Sequence, residues 1–417
     1  MYGYGCFNGV FKKMRVIINK STAVGEIIAP PSKSMAHRNL LCAALSKNST
    51  VTNVEYSEDI LATLECLKGL GANICIEGNT VRIGGLCPQK AESITLNCNE
   101  SGSTLRFILP LCLISGNEFY LKGSGRLMYR PMTVYRDLCF ENGIEFEQTN
   151  EFIRVKGKLY GGVFNVDGGI SSQFISGLMF ALPLLNEDSI INITGELQSL
   201  SYLYLTFQSL ENFGIQIDYS DIRHIKIKGN QSYSDKLMSV EGDYSNSAFF
   251  DALNFFDSQV SVKGLSEDSL QGDRVYKELF SKLKNEKAVI SIADCPDLAP
   301  ILFVVAATQN GAYFTDTARL KLKESDRALA MKEELSKFGV NIDVKDNSVE
   351  VYPSEIYAPL KTLYGHNDHR IVMALSVLAI KTGAVIDGAQ AVRKSLPDFF
   401  ERLFSLGVNV IIEKVNV

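Results

Sequence analysis

The chain has 417 residues, of which 46% are hydrophobic and 21% charged, with a formal net charge of −5. This composition is typical of a globular protein of about two domains, and no apolar run reaches the ~18 residues of a membrane span. The acidic balance argues against a nucleic-acid partner. Nine scattered cysteines and four histidines lack the spacing of disulfide frameworks or zinc sites and favour a reducing cytoplasm.

The first predicted element is a β-strand that opens at Met14. Residues 14–19 form a regular strand-like run. Before it, residues 1–13 place aromatic residues and glycines ahead of a basic pair, which is not the order of a cleavable signal peptide. We expect residues 1–13 to be a dispensable extension or the product of an upstream start.

A pattern of helix, glycine and alternating strand then recurs along the chain. In each copy a helix-like segment ends at a glycine, an alternating strand follows, and a second strand returns after a short polar turn. The glycine is predicted to end the helix in a left-handed conformation, and the alternation predicts a half-buried hairpin. The glycines are Gly71, Gly143, Gly214, Gly339 and Gly407.

The spacing of these glycines predicts six units. The first three are separated by 72 and 71 residues, and the last two by 68. The gap of 125 residues between Gly214 and Gly339 can hold one degenerate copy, which we place near residues 279–284 and 288–292. Three units in each half indicate two related α/β domains.

The first polar segment follows two prolines that end a strand at residues 30 and 31. Ser32 or Ser34 can cap the helix that follows. Lys33 stands at the helix start and Arg38 lies one turn on, so the cations and the free N–H groups of the N-terminus together predict an anion site. An ordinary capped helix with solvated cations would show the same residues.

Further segments place small residues, hydroxyls and arginines ahead of predicted helices. Gly102 permits close approach of a ligand to the backbone. Aimed at one point, such N-termini and cations would hold a multiply anionic small molecule. The residues concerned are Gly102 and Arg106, Arg126 and Arg130, Ser171, Ser172 and Gln173, and Ser199 and Tyr202.

Dense charge marks four segments of the second half. Residues 323–327 hold four charges among five positions, a run that is usually a solvated helix face with local ion pairs. Similar density recurs at residues 367–370, before an apolar run, and at residues 394–397. Asp294 and Asp297 add a carboxylate pair. The recurrence indicates a charged site.

Eight motifs in this order resemble a known family. They are P-S-K-S-x-x-x-R at 31–38, S-G-S-T-x-R at 101–106, S-S-Q-F at 171–174, E-G-D at 241–243, P-D at 296–297, K-E-S-D-R at 323–327, N-D-H-R at 367–370 and K-S-x-P at 394–397. Over residues 14–417 they resemble the 5-enolpyruvylshikimate-3-phosphate synthase family, also called 3-phosphoshikimate 1-carboxyvinyltransferase. One motif would be weak evidence, whereas eight in register are strong.

The resemblance implies an α/β fold of two inside-out α/β barrel domains, each of three βαβαββ units, with the active site in the interdomain cleft. This agrees with the repeat of six units. It also implies that the chain begins in one domain, builds the other whole and returns. We therefore expect residues 1–31 and 242–417 to form a discontinuous lobe, and residues 32–241 a continuous lobe that binds shikimate 3-phosphate.

The resemblance implies transfer of the enolpyruvyl group of phosphoenolpyruvate to the 5-hydroxyl of shikimate 3-phosphate, in chorismate and aromatic amino acid biosynthesis. Each substrate carries a carboxylate and a phosphate, which arginine forks match well. Positions matching the shikimate 3-phosphate ligands are Lys33, Ser34, Arg38, Ser171, Ser172, Gln173, Ser199, Tyr202, Asp297 and Lys323. Positions matching the phosphoenolpyruvate ligands are Lys33, Gly102, Arg130, Gln173, Arg327, Arg370 and Lys394.

Catalytic roles for Asp297, Glu324 and Lys33 also follow from the resemblance. We expect Asp297 to take the proton of the 5-hydroxyl as its oxygen attacks C2 of phosphoenolpyruvate, and Glu324 or Lys33 to protonate C3. The resulting tetrahedral ketal phosphate would then expel phosphate. Because the leaving phosphate supplies the driving force, we expect no metal and no organic cofactor. A cytoplasmic monomer without nucleic-acid or membrane partners is expected.

Two positions depart from the family pattern. Glu100 stands where many members have Asn, and a carboxylate near an anion site should weaken phosphoenolpyruvate binding unless it points away or pairs with a cation. Arg319 stands where others carry Asn or a similar residue, and it adds a cation near the phosphate of shikimate. The presence of Gly102 implies that sensitivity to glyphosate, a phosphoenolpyruvate mimic, is retained in kind.

Two alternative functions are weighed against this one. The related transferase that acts on UDP-N-acetylglucosamine uses a reactive cysteine in a loop of its first half, but residues 123–131 contain no cysteine. Cys112 and Cys139 lie in apolar runs typical of a core. A non-enzymatic anion-binding protein would lose Asp297, Glu324 or Lys33, and all three are present.

Overall fold

The computed structural model describes residues 13–415. No helix among these residues is long and apolar enough to cross a bilayer. The α-helices are α1 (Lys33–Leu45), α2 (Glu58–Gly69), α3 (Gly102–Ser115), α4 (Thr133–Glu141), α5 (Ser172–Ala181), α6 (Leu200–Asn212), α7 (Tyr244–Ala252), α8 (Tyr276–Asn285), α9 (Ala299–Thr308), α10 (Arg327–Ser336), α11 (His369–Thr382) and α12 (Phe399–Ser405).

The strands alternate buried and exposed residues, as half-buried sheets require. They are β1 (Lys13–Ile18), β2 (Val24–Ile28), β3 (Ser49–Thr52), β4 (Asn73–Glu77), β5 (Thr80–Gly84), β6 (Ile94–Asn97), β7 (Glu118–Lys122), β8 (Glu145–Gln148), β9 (Phe152–Lys156), β10 (Val163–Asp167), β11 (Ser189–Thr194), β12 (Ile217–Asp218), β13 (His224–Ile227), β14 (Leu237–Ser239), β15 (Gln259–Lys263), β16 (Ala288–Ser291), β17 (Ala312–Thr315), β18 (Ile342–Val344), β19 (Ser348–Val351), β20 (Leu363–Tyr364), β21 (Ala384–Asp387) and β22 (Val410–Val415). The predicted opening strand begins one residue earlier than expected, and residues 1–12, the rest of the proposed extension, lie outside the described residues.

Three sheets show one unit in full. In the sheet β6-β7-β9-β8, β6 pairs parallel with β7, and β9 pairs antiparallel with both β7 and β8. A helix joins the parallel pair because parallel strands need a long crossover, and a short turn joins the antiparallel pair. The sheets β10-β11-β13-β12 and β16-β17-β19-β18 have the same order. This is the predicted βαβαββ unit.

Two sheets are completed by a strand from a distant part of the chain. β14 pairs parallel with β3 and supplies the first position of the sheet β14-β3-β5-β4. β1 pairs antiparallel with both β21 and β22 and completes the sheet β20-β21-β1-β22. In both cases the other three strands of the sheet come from one stretch of chain, and the fourth comes from a segment far away in sequence.

The sixth sheet consists of the parallel pair β15-β2 and has no hairpin among the described residues. It is the degenerate copy, and its predicted position needs one correction. Residues 279–284 lie in α8 as expected, but residues 288–291 form β16, which pairs with β17 and begins the next sheet. The expected strand was misplaced because the pattern describes a hairpin that this unit lacks.

The glycines of the repeat adopt the predicted left-handed conformation. Their φ angles are 107° at Gly71, 67° at Gly143, 82° at Gly214, 89° at Gly339 and 89° at Gly407. A side chain is disfavoured at such angles. Each glycine therefore ends a helix and turns the chain toward the following strand or extended segment.

Two apolar cores fill the molecule, and helices occupy the centre of each. One core is built from residues between 35 and 240, and the other from residues 14–27 and 244–408. α3 packs on α5 in the first, and α9 packs on α11 in the second. α9 is buried on all sides except at its last residue, which places it inside, while the sheets stand as separate ladders around the helices. This is the inside-out α/β arrangement.

The two segments that pass between the cores run side by side. Pro31 and Gly242 form an isolated antiparallel bridge. The backbone N–H of Ser32 donates to the oxygen of Glu241 at 2.8 Å, and that of Asp243 donates to the oxygen of Pro30 at 2.7 Å. We propose the lobe boundaries here: the continuous lobe is residues 32–241, and the described part of the discontinuous lobe is residues 13–31 with 242–415.

Candidate active site

A cleft between the lobes brings the predicted residues together. Fourteen of the sixteen line it. Arg370 and Lys394 lie directly behind: Nη2 of Arg370 is 3.4 Å from Oδ2 of Asp297, and Nζ of Lys33 is 3.3 Å from the backbone oxygen of Lys394. The fourteen are Lys33, Ser34, Arg38, Gly102, Arg130, Ser171, Ser172, Gln173, Ser199, Tyr202, Asp297, Lys323, Glu324 and Arg327.

Three helices of the continuous lobe begin at the cleft. Ser32 caps α1, Ser101 caps α3 and Ser171 caps α5, because each hydroxyl accepts a backbone N–H of the first turn. The first residues of all three helices line the cleft. Their remaining N–H groups and the positive ends of their dipoles favour a bound anion.

Gly102 opens α3 against two arginines. A Cβ at this position would lie 2.7 Å from Nη1 of Arg130 and 2.9 Å from Nη1 of Arg106. Nη1 of Arg106 also donates to Oε1 of Gln173 at 2.7 Å, and Nε2 of Gln173 donates to the hydroxyl of Ser103 at 2.9 Å. Burial and the neighbouring Arg130 lower the pKa of Arg106 to about 9. A side chain at this position would therefore force both guanidinium groups to move.

Asp297 receives four donors from both lobes. Its oxygens lie 2.7 Å from Nη1 of Arg327, 3.2 Å from Nζ of Lys323 and 3.4 Å from Nη2 of Arg370. The hydroxyl of Tyr202, from the continuous lobe, lies 3.4 Å away. Burial alone would raise the pKa of Asp297, but Lys323, Arg370 and Arg327 outweigh it and hold that pKa well below its usual range.

Glu324 is held by two arginines, one from each lobe. Nη2 of Arg327 lies 2.9 Å from Oε2 and Nη2 of Arg130 lies 3.3 Å from Oε1. Burial raises the pKa of Glu324, but Arg130 and Arg327 dominate and hold it well below its usual range. Arg327 is 1% exposed and also donates Nε to Asp368 at 2.9 Å. One buried guanidinium therefore fixes three carboxylates.

Lys33 joins α1 to the other lobe. Its Nζ donates to Oδ2 of Asp59 at 2.8 Å and to the backbone oxygen of Lys394 at 3.3 Å. Its backbone N–H lies 3.2 Å from Oδ2 of Asp243. A lysine on a flexible stem is thus fixed at the head of the cleft by contacts from three separate segments.

Arg38 is held by the continuous lobe alone. Its Nε donates to the hydroxyl of Thr206 at 2.9 Å, Nη1 to the oxygen of Ser34 at 2.8 Å and Nη2 to the oxygen of Tyr202 at 3.1 Å. The guanidinium lies 5.4 Å from the ring centre of Phe107. Burial lowers the pKa of Arg38 to about 10, so it stays charged at neutral pH.

Arg319 reaches the cleft from the discontinuous lobe. Its Nη1 donates to the hydroxyl of Ser199 at 2.8 Å. Ser199 has a φ of 57°, a left-handed angle that is uncommon outside glycine and is often found at functional positions. The extra cation expected from the sequence therefore lies beside a residue of the predicted shikimate 3-phosphate set.

Glu100, the other departure, pairs with one cation and one side-chain amide of the opposite lobe. Nζ of Lys394 donates to its Oε2 at 2.7 Å, and Nδ2 of Asn367 lies 2.8 Å from the same oxygen. The carboxylate is thus paired with a cation. This pairing is one of the two arrangements, expected from the sequence, in which Glu100 would not weaken phosphoenolpyruvate binding.

Eight residues of the cleft were absent from the two predicted ligand sets and the catalytic set, although the sequence had already singled out Arg106 and Arg319. Arg106 and Ser103 belong to the S-G-S-T-x-R motif and His369 to N-D-H-R, so those motifs carried the signal. Asp59 lies in the first turn of α2, where an acidic residue commonly stabilises a helix. Its sequence position therefore gave no signal of a role in the cleft. The eight are Asp59, Ser103, Arg106, Pro131, Ile170, Arg319, Leu322 and His369.

Several guanidinium nitrogens of the cleft have no hydrogen-bond partner within residues 13–415. They are Nε of Arg106, Nε of Arg130, and Nε and Nη1 of Arg370. Buried donors are normally paired, because an unsatisfied one costs about 1–3 kcal/mol. These donors fit a site that is completed by an anionic ligand.

One cluster of the described residues has the spacing of metal ligands. Glu333, Glu334 and His366 bring three ligand atoms within 4.8 Å of one another. Lys337 contacts both oxygens of Glu334 at 2.9 and 2.8 Å, and the N–H of Tyr364 donates to Oε2 at 2.8 Å. An ammonium that already neutralises Glu334 disfavours a cation there, and the cluster lies outside the cleft lining.

The two cysteines considered for a reactive thiol are core residues. Cys112 and Cys139 are both fully buried. Burial raises the pKa of Cys139 to about 12 and holds that of Cys112 well above its usual range. Because the thiolate is the nucleophile, neither residue is suited to the role of the reactive cysteine.

Comparison with known proteins gives a consistent result. The profile of the EPSP synthase (3-phosphoshikimate 1-carboxyvinyltransferase) family matches residues 18–403. The 3-phosphoshikimate 1-carboxyvinyltransferase of Clostridium perfringens is 40% identical over 94% of this chain and 98% of its own length. That of Clostridium kluyveri is 39% identical over 94% and 97%. The EPSP synthase structure from Acinetobacter baumannii superposes with a TM-score of 0.77 over 96% of this chain and 100% of that one, at 20% identity.

Proposed function

This chain belongs to the EPSP synthase family, and from that premise we propose which residues bind its substrates and carry its chemistry. The reaction is enolpyruvyl transfer from phosphoenolpyruvate to the 5-hydroxyl of shikimate 3-phosphate, in aromatic amino acid biosynthesis. The observation that supports the assignment of residues most strongly is the pair Asp297 and Glu324, two ionised carboxylates among arginines and lysines in one cleft.

Shikimate 3-phosphate is assigned to the side of the cleft formed by α1, α5 and α6. Hydroxyls at helix starts and a fixed guanidinium suit its phosphate and carboxylate. Tyr202 packs against the ring, and Arg319 adds a cation at the phosphate through Ser199. The assigned residues are Lys33, Ser34, Arg38, Ser171, Ser172, Gln173, Ser199, Tyr202, Asp297 and Lys323.

Phosphoenolpyruvate is assigned to the region between the lobes, where Gly102 leaves the backbone open. The unpaired donors of Arg130 and Arg370 support this assignment, because a carboxylate and a phosphate would complete them. The assigned residues are Lys33, Gly102, Arg130, Gln173, Arg327, Arg370 and Lys394.

The reaction proceeds by addition and elimination. Asp297 accepts the proton of the 5-hydroxyl while its oxygen bonds to C2 of phosphoenolpyruvate, and Glu324 or Lys33 delivers a proton to C3. In the tetrahedral product, the C2–O bond to phosphate breaks and a proton leaves C3, which gives the enol ether and inorganic phosphate. Arginines and lysines already in place stabilise the charge on the departing phosphate.

Ligand binding prepares Glu324 for its role as an acid. With the cleft empty, Arg130 and Arg327 keep its pKa low, so it holds no proton to give. A bound phosphate and carboxylate offset those cations, which raises the pKa of Glu324 and lets it take up a proton. The same shift brings Asp297 closer to the basicity that a general base needs.

Phosphate release tests this function directly. The purified chain is mixed with phosphoenolpyruvate and either shikimate 3-phosphate or UDP-N-acetylglucosamine, and inorganic phosphate is measured with time. We expect release with shikimate 3-phosphate only, and its loss in Asp297→Asn. Release with UDP-N-acetylglucosamine, or none with either acceptor, would overturn the function.

Three further features complete the proposal. The enzyme acts as a cytoplasmic monomer, without nucleic-acid or membrane partners. It uses neither a metal nor an organic cofactor, since the leaving phosphate drives the reaction. Glyphosate competes with phosphoenolpyruvate at Gly102, which an inhibition titration against phosphoenolpyruvate measures.

A further inference from the structure

Glu100 is built into a contact that crosses the cleft. It lies between β6 and α3 on the continuous lobe, while both of its partners, Asn367 and Lys394, belong to the discontinuous lobe. Its carboxylate accepts Nζ of Lys394 at 2.7 Å and Nδ2 of Asn367 at 2.8 and 3.1 Å. The side chain of Lys394 is 5% exposed and that of Glu100 is 20% exposed, so water screens the pair less than at an open surface.

The backbone around this contact is shaped to receive the carboxylate. Gly125 has a φ of 57°, and a Cβ there would lie 2.5 Å from Cδ of Glu100. His366 and Asn367 have φ angles of 47° and 53°, left-handed angles at which Asn and His are enriched among non-glycine residues. The space left by Gly125 on one lobe and the left-handed backbone of His366 and Asn367 on the other therefore meet at the side chain of Glu100.

The contact also fixes the direction of the Lys394 ammonium. Of its three N–H donors, one goes to Glu100 and one to the backbone oxygen of Asn367 at 2.6 Å. We expect the third to reach a bound ligand from behind the cleft lining. Meanwhile the backbone oxygen of Lys394 receives Nζ of Lys33 at 3.3 Å, so Lys394 is positioned by both lobes only when they touch.

We propose that Glu100 is a positioning residue for Lys394 that couples lobe closure to the binding of phosphoenolpyruvate. This proposal rests on the proposed function, in which Lys394 belongs to the residues that bind phosphoenolpyruvate. The contact exists only when the lobes touch, so it raises the fraction of molecules in the closed state. A ligand held by both lobes gains apparent affinity in proportion to that fraction.

Three chains test this coupling: the parent, Glu100→Ala and Glu100→Gln. Small-angle scattering without ligand measures closure, and steady-state kinetics with each substrate varied measures KM and kcat. We expect a larger radius of gyration for Glu100→Ala, and a KM for phosphoenolpyruvate raised about three- to tenfold, the equivalent of one partly buried ion pair. The KM for shikimate 3-phosphate, held mostly by one lobe, and kcat should change less than twofold on the same reasoning.

Glu100→Gln should fall between the other two, because the amide keeps hydrogen bonds but loses the charge. The matched control is Glu118→Gln, which removes a similarly short contact, 2.6 Å to Arg154, within the continuous lobe. It should leave both the radius of gyration and the two KM values unchanged. Thermal unfolding of each variant reports whether the fold is intact.

Several outcomes would overturn the proposal. An unchanged radius of gyration in Glu100→Ala would show that the contact does not hold the lobes together. A lower KM for phosphoenolpyruvate would show that Glu100 acts as a competing anion, and a lower kcat with unchanged KM would show a purely structural role. Absence of phosphate release by the parent chain would instead overturn the proposed function, and the scattering comparison would still test the contact.

Discussion

The continuous lobe offers the cleft hydroxyls, an amide and arginines, whereas the discontinuous lobe offers both predicted catalytic carboxylates and most of the cations that hold them. Ser34, Ser171 and Ser172 stand at helix starts on the first. Asp297 and Glu324 stand on the second, tied together by Arg327. Under the proposed assignment, one lobe holds most of the shikimate 3-phosphate ligands and the other holds both catalytic carboxylates, so the reaction requires the lobes to meet.

The largest expected effect tests the acid–base side of this comparison. Asp297→Asn keeps the shape of the side chain but removes the group that takes the proton, so kcat should fall about 10²–10⁴-fold. The dissociation constant of shikimate 3-phosphate, measured by calorimetry, should change far less because the continuous lobe holds that ligand. A variant with nearly parental kcat would disprove the role of Asp297.

Glu324→Gln tests the second carboxylate of the same lobe. If Glu324 supplies the proton to C3, kcat should fall by at least about 10²-fold, with little change in the KM for shikimate 3-phosphate. If Lys33 supplies that proton instead, the loss in kcat is much smaller. Comparing the pH profiles of kcat for parent and variant identifies which limb Glu324 controls.

Gly102→Ala tests the region where the lobes meet. The added methyl group would lie 2.7 Å from Nη1 of Arg130 and 2.9 Å from Nη1 of Arg106. Displacing them costs about 1–3 kcal/mol, which corresponds to a KM for phosphoenolpyruvate roughly five- to 150-fold higher. The KM for shikimate 3-phosphate is the internal control, and equal changes in both values would contradict the assignment.

Ser172→Ala tests the binding side. Loss of one hydrogen bond to a charged group should raise the KM for shikimate 3-phosphate about tenfold and leave kcat within about twofold. Thermal unfolding serves as the control for folding. A large fall in kcat with unchanged KM would place Ser172 in the chemistry and erase the division between the lobes.

The smallest expected effect is on the pH dependence of stability, to which a buried histidine of each lobe contributes, His37 in one and His369 in the other. Burial, with nearby cations, lowers the pKa of each well below its usual value. Below pH ~6.5 the unfolded chain therefore binds protons that the folded chain does not. As the pH falls further, each histidine lowers the free energy of unfolding by about 1.4 kcal/mol for every pH unit.

His37→Asn should remove one such contribution. Its free energy of unfolding, measured by denaturant titration between pH 5 and 7, should depend less steeply on pH than that of the parent. Asp273, whose pKa is raised to about 8 by burial and by Asp297, gives the opposite slope, and the difference between the two chains cancels it. Equal slopes would show that His37 is protonated in the folded state.

Much of the fold follows from local sequence. The repeat glycines have the expected left-handed angles, Ser32 and Ser171 cap the helices they were expected to cap or precede, and the six units are present. The proposed lobe boundaries and the individual roles of the site residues stay predictions. The misplaced copy near residues 288–292 shows the limit, because a unit without a hairpin leaves no hairpin pattern to find.

The sequence by itself determined the units, their caps and the motif residues that face the cleft, because helix ends, turns and alternation are set by neighbours a few positions apart. Only the tertiary structure decided that β1 and β14 complete distant sheets, that Asp59 holds Lys33, and that Glu100 meets Lys394 across 294 positions of chain. Such contacts depend on how whole lobes pack, and a side chain carries no local mark of the partner that packing brings to it.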